Sequence, residues 1–412
     1  MASPTRRTFL ATSAGTLAFG VPPAQTRAAN EKLNIGLIGS GNRGRTILTE
    51  CLKNGHNVVA LADIAKFRFD AFKAAFDKIG YRPKGEPARY DDYRKLLEHK
   101  GLDAVIIATP DHHHREQLLA AMQAEKHAYI EKPLSHTIEQ GKEMVAAVRK
   151  TKKIVQVGNQ RHSGDHWKRC RDMIQSPDFG DLVWVKVWDC RNWVKRDPFA
   201  PPKDFSEKTA GVDWAAFLGN APKKDFDPVR YWSWRWFWDY AGGLMTDIGA
   251  HQLDVVQWLG GVDAPKSVVA NGGVYHFKHW ETPDMIHGVW DYGKFAATFA
   301  VEFVNGYDGV GCTFYGTKMT MHADADPGGE IKFYDTIDKF TPAMKPKTSW
   351  KVENETPLHV KNWLDCVKDN KDPNSTIELG HRVITAAHLA NMAYRSGKKV
   401  LWDAVKETAT TG

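Results

Sequence analysis

Tryptophan is missing from the first 166 residues of this 412-residue chain, although the whole contains 15. Every one lies at or after Trp167, and nine fall between Trp184 and Trp258. A uniform repeat would spread them evenly, so the sequence predicts two halves with different tasks. Cysteine is scarce too. Cys51, Cys170, Cys190, Cys312 and Cys366 are scattered, odd in number and form no C-x-x-C pair. That excludes a disulfide scaffold and a four-cysteine zinc site, and leaves buried free thiols. No apolar run approaches the roughly 20 residues of a membrane span. No block of lysine or arginine backs the formal net charge of +7, which predicts a solvated surface and no nucleic-acid partner. What is present, 42% hydrophobic and 25% charged residues, suits a soluble fold of about two domains at roughly 150 residues each.

The N-terminus stands apart. Residues 1–29 hold Arg6, Arg7 and Arg27 but no acid and no lysine. A basic pair, an uncharged stretch from Phe9 to Thr26 and small residues at Ala28–Ala29 have the layout of a secretory signal. Thr5-Arg6-Arg7-Thr8-Phe9-Leu10 resembles the twin-arginine signal, which exports proteins already folded. The expected mature chain starts near Asn30 and is periplasmic or otherwise exported. A first domain is expected over 30–155 and a second over 156–412.

The first of these follows from local chemistry. Leu33 to Ile38 is an apolar run of strand length, and Thr46 to Leu52 has helical spacing. Between them lies Gly39-Ser40-Gly41-Asn42-Arg43-Gly44, in the strand–turn–helix setting that a G-x-G-x-x-G pattern requires. Gly39 permits the tight turn, Gly41 lets a pyrophosphate approach the backbone, and Gly44 lets the helix pack on the strand. Asn42 and Arg43 lie at the helix start, where free N–H groups favour phosphate. A second strand, Asn57 to Ala62, ends in Asp63, placed to bond the adenosine ribose hydroxyls. That favours NAD, while Lys66 and Arg68 leave NADP open.

Strands and helices keep alternating, which implies a parallel sheet with ligands at its strand C-terminal ends. Thr109-Pro110 and Glu131-Lys132-Pro133 are at such ends. His112, His113 and His114 lack a carboxylate or cysteine at ligand spacing, so no metal is expected; cofactor contact or helix capping fits His112 and His114 better.

The second half alternates at period two, as in Leu182 to Asp189, Phe295 to Phe303, Gly309 to Tyr315 and Ile331 to Tyr334. Few helices separate these strands, so antiparallel pairing is expected. Residues 247–259 read as one helix with Asp247, His251, Asp254 and Trp258 on one face. On spacing alone, Asp247 could orient His251 and stabilise its charged form, or cap the helix beside a structural histidine. Trp232-Ser233-Trp234-Arg235-Trp236-Phe237-Trp238 would put four indoles on one face if extended. Such a face suits sugar C–H surfaces, with Arg235 binding hydroxyls and Trp236 stacking, and equally suits a core or an interface.

Taken in order, Gly39 to Gly44, Ala108-Thr109-Pro110, Glu131-Lys132-Pro133 and Gly242 to His251 resemble the Gfo/Idh/MocA family across 33–405. The resemblance implies an α/β fold, with an N-terminal Rossmann domain and a C-terminal α/β domain built on a large, mostly antiparallel sheet. It implies homo-oligomers through that sheet. It also implies a catalytic set of Lys132, Asp247 and His251, with Asn159 near nicotinamide and Arg161 near substrate. The expected activity is an exported, NAD(P)-dependent oxidation of a sugar, polyol or glycoside at a carbinol carbon, with the cofactor tightly bound. An NAD-dependent glycosidase using transient oxidation is the alternative, since Asn42-Arg43 and the signal resemble that branch. A non-catalytic sugar-binding or regulatory protein is the third reading.

Overall fold

The computed structural model describes residues 32–412, apart from 79, 81–84, 196, 198, 207–210 and 337–338. The expected export signal lies outside the described residues.

Six strands form a parallel sheet: β1 (Asn34–Ile38), β2 (Asn57–Ala62), β3 (Ala88–Tyr90), β4 (Ala104–Ile107), β5 (His127–Ile130) and β6 (Val155–Val157). Their order is β3-β2-β1-β4-β5-β6. The chain reverses direction of growth between β1 and β4, which opens a crevice above their C-terminal ends. β4 is buried throughout, as its unbroken Ala-Val-Ile-Ile run requires of a strand covered on both faces.

Ten further strands form the second sheet: β7 (Leu182–Cys190), β8 (Ser267–Gly273), β9 (Met285–Asp291), β10 (Ala296–Glu302), β11 (Val310–Gly316), β12 (Met319–Asp324), β13 (Glu330–Asp335), β14 (Thr348–Lys351), β15 (Val400–Asp403) and β16 (Thr408–Thr411). Their order is β14-β13-β12-β11-β7-β10-β9-β8-β15-β16. Only the β7–β10 pair is parallel. In β7 Val185 and Val187 are buried and Trp184, Lys186 and Trp188 turn outward, but the alternation fails at Val183, which is exposed beside a register shift between Tyr315 and Gly316 of β11. Helices Gly249–Gly260 and Ile377–Ser396 bury Leu253, Val256, Ala386 and Leu389 in the core shared with Val185, Val187 and Phe299. The other face leaves Val183, Trp184, Val269, Val289 and Leu401 exposed.

Three expectations need correction. Residues 247–259 are not one helix: Gly243–Asp247 ends, Ile248 breaks the run, and Gly249–Gly260 starts anew. The tryptophan run is not extended, because Pro228–Trp232 is helical and Trp234–Trp236 is a 3-10 turn. The boundary expected at 155/156 falls inside β6. Helix Thr356–Asp369, far along the chain, inserts Val360, Trp363 and Leu364 into the same core as Ile35, Leu37, Ile47 and Ile106. The thiols are free, with Cys51, Cys170, Cys312 and Cys366 buried and Cys190 half-buried.

Candidate active site

The glycine turn has the shape of a phosphate cradle. Gly39 has φ +90°, and a Cβ there would meet the Ala108 carbonyl oxygen at 2.7 Å, so only glycine fits. A Cβ at Gly44 would collide with the Gly39 carbonyl. At Gly41 it would meet nothing within 4 Å. That open space lies at the start of helix Asn42–Lys53, whose N-cap receives no side-chain hydrogen bond. Backbone N–H groups are therefore left for a ligand. Asn42 Oδ1 accepts from Arg45, and Arg43 Nε donates to Glu131 Oε1 at 2.7 Å.

Asp63 follows β2 as expected. Its carboxylate accepts from Ser40 N at 2.7 Å and Ala65 N at 2.9 Å. Burial pushes the carboxyl up from its ordinary value, against those two N–H groups and Arg68. Lys66 is exposed, and the Arg68 guanidinium lies over the rings of Phe67 and Trp232, at 4.9 and 4.6 Å.

At the ends of β4 and β5 the backbone is tied together. Thr109 Oγ1 donates to Gln117 at 2.7 Å, and Pro110 precedes helix Asp111–Gln123. The buried His114 ring lies 2.8 Å from the Pro133 carbonyl and 3.0 Å from that of Thr109. His112 and His113 both reach the Phe217 carbonyl, each at 2.8 Å. No side chain caps that helix, and His112 packs beside Phe217 and Tyr240. His112 thus ties two chain segments through Nε2, while its buried Nδ1 has no partner. Glu131 is a hub, accepting from Arg43, Gln160 and Tyr129 and from its neighbour's backbone, Lys132 N. It holds the glycine-turn helix against β5. The Asn159 Oδ1 atom is buried without a partner, an arrangement that a carboxamide N–H would satisfy.

Lys132, Asp247 and Arg235 meet beyond these strand ends. Lys132 Nζ donates to the Asp247 backbone oxygen at 2.6 Å and to its Oδ1 at 2.8 Å. Arg235 Nε lies 3.4 Å from Asp247 Oδ2, its guanidinium between the rings of Phe199 and Trp234. Burial works to raise the Asp247 carboxyl, but Lys132 and Arg235 outweigh it and hold it well below the ordinary range. Burial, together with Lys132 and Arg161, pushes the His251 imidazole well below 6.5, so the ring is neutral. The sequence suggested that Asp247 would stabilise a charged His251. Asp247 does favour the charged ring, but burial and the cations Lys132 and Arg161 outweigh it.

Four more expected residues sit apart from their expected tasks. One amino group of Arg161 donates to the His251 backbone oxygen and to Gln252 Oε1, both at 3.2 Å, so Arg161 anchors the helix that carries His251. Asp254 pairs with His162 at 2.6 Å, and Trp258 stacks on that ring, so neither shares the Asp247 face. Trp236 is wholly buried, stacked on Trp280 with ring centroids 4.1 Å apart, and leaves the substrate set. Of the run, Trp234 approaches the cluster, through Arg235. Asp111 was missed. It is buried near Asp247, Arg235 and Lys132, and its place beside Thr109-Pro110 at a strand end was the available signal. Among the described residues no group of three or more His, Cys, Asp or Glu could hold a metal ion. No helix among them is long and apolar enough to cross a membrane.

The open space at Gly41, the uncapped helix start and the orphaned Asn159 oxygen fit a dinucleotide. Comparison with known proteins agrees. Residues 33–159 match a family described as an oxidoreductase family with an NAD-binding Rossmann fold, and residues 222–401 match its C-terminal alpha/beta domain. Inositol 2-dehydrogenase of Salmonella typhimurium is 31% identical over 240 residues, 58% of this chain and 66% of that protein. A glycosyl hydrolase family 109 protein of Stenotrophomonas maltophilia is 36% identical over 127 residues, 29% of this chain and 27% of that protein. The chain spans between about a quarter and two thirds of the length of these curated relatives. The WlbA dehydrogenase of Bordetella pertussis, solved with NADH and UDP-GlcNAcA, has the same fold. Its TM-score is 0.66 at 18% identity, over 90% of this chain and 99% of that one.

Proposed function

The chain belongs to the Gfo/Idh/MocA family of oxidoreductases, with an NAD-binding Rossmann domain, and from that premise we propose that it oxidises a sugar or polyol at a carbinol carbon. The nicotinamide, when bound, supplies the hydride acceptor. The chain's own residues do the rest. The turn from Gly39 to Gly44 and the start of helix Asn42–Lys53 bind the pyrophosphate. Asp63 takes the ribose hydroxyls and disfavours a 2′-phosphate, and Asn159 bonds the carboxamide. Two hydrogens of Lys132 Nζ are held by Asp247, which leaves the third to meet the substrate hydroxyl oxygen. His251 Nε2 or Nδ1, neutral, takes part in the same proton's transfer. Arg235, fixed by Asp247 and two rings, binds a neighbouring hydroxyl. The observation that carries this reading is the Lys132–Asp247–Arg235 cluster, its carboxylate buried and its two cations half-buried, at the C-terminal end of the parallel sheet.

The substrate class draws support from the inositol 2-dehydrogenase relative. The test has two steps. Absorbance and mass spectra of protein purified without added cofactor should show retained NAD(H); recovery of NADP(H) would overturn the role given to Asp63. A panel of inositols and sugars should then reduce the bound cofactor. The second reading, a redox-neutral glycosidase, is favoured by the glycosyl hydrolase family 109 likeness. Release of a chromogenic leaving group without net cofactor change would replace the dehydrogenase reading with it.

Two features of setting complete the proposal. Export rests on the Arg6-Arg7 pair, and replacing both by lysine should retain the protein in the cytoplasm. A homo-oligomer through the ten-stranded sheet is supported by its apolar outer face, with Val183, Val269, Val289 and Leu401 exposed. Val289→Asp should lower the mass seen by light scattering.

A further inference from the structure

The crevice of the parallel sheet has two walls. β1 lies between β2 and β4, and its glycine turn is the floor. On one side β2 runs out through Asp63 into Ile64 and Ala65. On the other, β4 runs out through Thr109-Pro110 into helix Asp111–Gln123. A short piece of the second half joins these walls. Val212 pairs with Ala65, and Asp213 N donates to the Ile64 carbonyl at 2.9 Å. Farther on, the Phe217 carbonyl accepts from His112 Nε2 and His113 Nε2, each at 2.8 Å, and Asn220 donates to Glu116 at 3.0 Å. Helix Trp214–Leu218 lies between the two ties, with the Asp213 carboxylate capping Ala216 N at 2.9 Å. Its five residues rise about 7 Å, and walls two strand spacings apart stand about 10 Å from each other, so the piece crosses with little slack.

An aromatic cluster holds the piece in place. Phe217 is buried against Tyr231, Tyr240 and the His112 ring, with centroids 5.4, 5.1 and 5.5 Å away, and Trp214 stacks on it at 4.9 Å. Trp232 packs on the same cluster and stacks on Phe67, beside Ala65. Two buried polar atoms here lack a partner, Trp232 Nε1 and His112 Nδ1. The indole N–H is a donor. The His112 ring is neutral, and its Nε2 donates to Phe217, which makes Nδ1 an acceptor. An adenine edge offers one of each, an amino donor beside a ring-nitrogen acceptor.

We infer that residues 212–220 form a crossbar that locks the adenosine end of the dinucleotide into its crevice. The bar joins the wall that begins at Asp63, the proposed ribose ligand, to the wall that begins at Thr109. The second half of the chain thereby completes the adenosine pocket, and bound NAD leaves only when the ties at Ile64 and Phe217 open. The open space at Gly41 stays outside the bar's two ties, so the pyrophosphate cradle needs no change when it lifts.

The inference rests on the proposed dinucleotide site. Exchange of bound NAD for isotopically labelled NAD, followed by mass spectrometry of the intact protein, separates the two. Ala65 and Val212 face each other as a non-hydrogen-bonded antiparallel pair, with Cα atoms about 4.5 Å apart, which a disulfide can span. The double variant Ala65→Cys with Val212→Cys, loaded with NAD and then oxidised, should exchange about tenfold more slowly, and reduction should restore the rate. Exchange that ignores the redox state of this pair would overturn the crossbar and leave the dinucleotide site standing. A protein that takes up no dinucleotide would overturn both. Should the double variant fail to fold, two variants at Asp213 decide. Asp213→Pro suits the φ of −74° but removes the N–H bonded to Ile64, whereas Asp213→Ala loses the cap and keeps that N–H. Exchange about tenfold faster in Asp213→Pro than in Asp213→Ala supports the bar, and equal rates overturn it.

Discussion

The two halves of the molecule each bury an aspartate at the site, and they hold it in opposite ways. In the nucleotide half, Asp63 is gripped by the backbone N–H groups of Ser40 and Ala65, and burial still pushes its carboxyl up. In the other half, Asp247 is gripped by Lys132 and Arg235 and is held far down. Burial is common to both, so the partner decides the outcome. Neutral N–H groups suit a carboxylate that must receive ribose hydroxyls. Two cations make a fixed field that a substrate meets ready-made.

The largest test of this contrast is Lys132→Met. It should lower kcat by about 10³-fold while leaving the cofactor bound, as checked by turnover and by the spectrum of the purified protein. Next comes Asp247→Asn, which leaves two half-buried cations without their carboxylate. It should cost about 3 kcal/mol in urea unfolding at pH 7. The sign with pH follows from the direction of the shift. Because Asp247 is depressed in the folded state, its contribution is present above its ordinary value of 3.8 and is lost as pH falls below that. The difference between wild type and Asp247→Asn should therefore shrink in acid.

A pair of glycines tests the cradle on a smaller scale. Gly44→Ala should destabilise the protein by about 2 kcal/mol, since its methyl group meets the Gly39 carbonyl. Gly41→Ala should leave the unliganded protein as stable as before and weaken only NAD binding, measured by titration. Smallest of all, Asp63→Ser should narrow the preference for NAD over NADP by about tenfold, or about 1.4 kcal/mol. An unchanged preference would show that Arg68 and Lys66 already govern that end.

Much of this was readable before any coordinates. The glycine turn was legible because a positive φ and close packing leave glycine no substitute. Asp63 was legible as the acid that ends β2, and its carboxylate does return to the glycine turn at Ser40. Lys132 and Asp247 came through a motif. The rest depended on contacts between distant residues. Helical spacing cannot show burial or the cations Lys132 and Arg161, which outweigh Asp247 and leave His251 neutral. Indoles alternating in sequence look alike whether they face water, as part of Trp234 does, or pack as Trp236 does. Arg161 could not be placed without the His251 carbonyl it reaches. An aspartate at a helix start is ordinary in sequence, and nothing local marks Asp111 as buried beside two cations. Strand β3, three residues long at the sheet edge, carries too little pattern to detect.

One tie has a consequence for how the chain behaves as a whole. Val212 bridges to Ala65, Asp213 N donates to the Ile64 carbonyl at 2.9 Å, and Phe217 accepts from two histidines of the first half. Trp363 closes the first core from the far end of the sequence. A fragment cut near residue 155 would thus expose a core that later residues cover, and neither piece would stand alone. Heat or urea should melt residues 32–412 in one cooperative transition. NAD at about 100 times its Kd would then raise the stability of the second half by the same ~2.7 kcal/mol as the half with the NAD-binding fold.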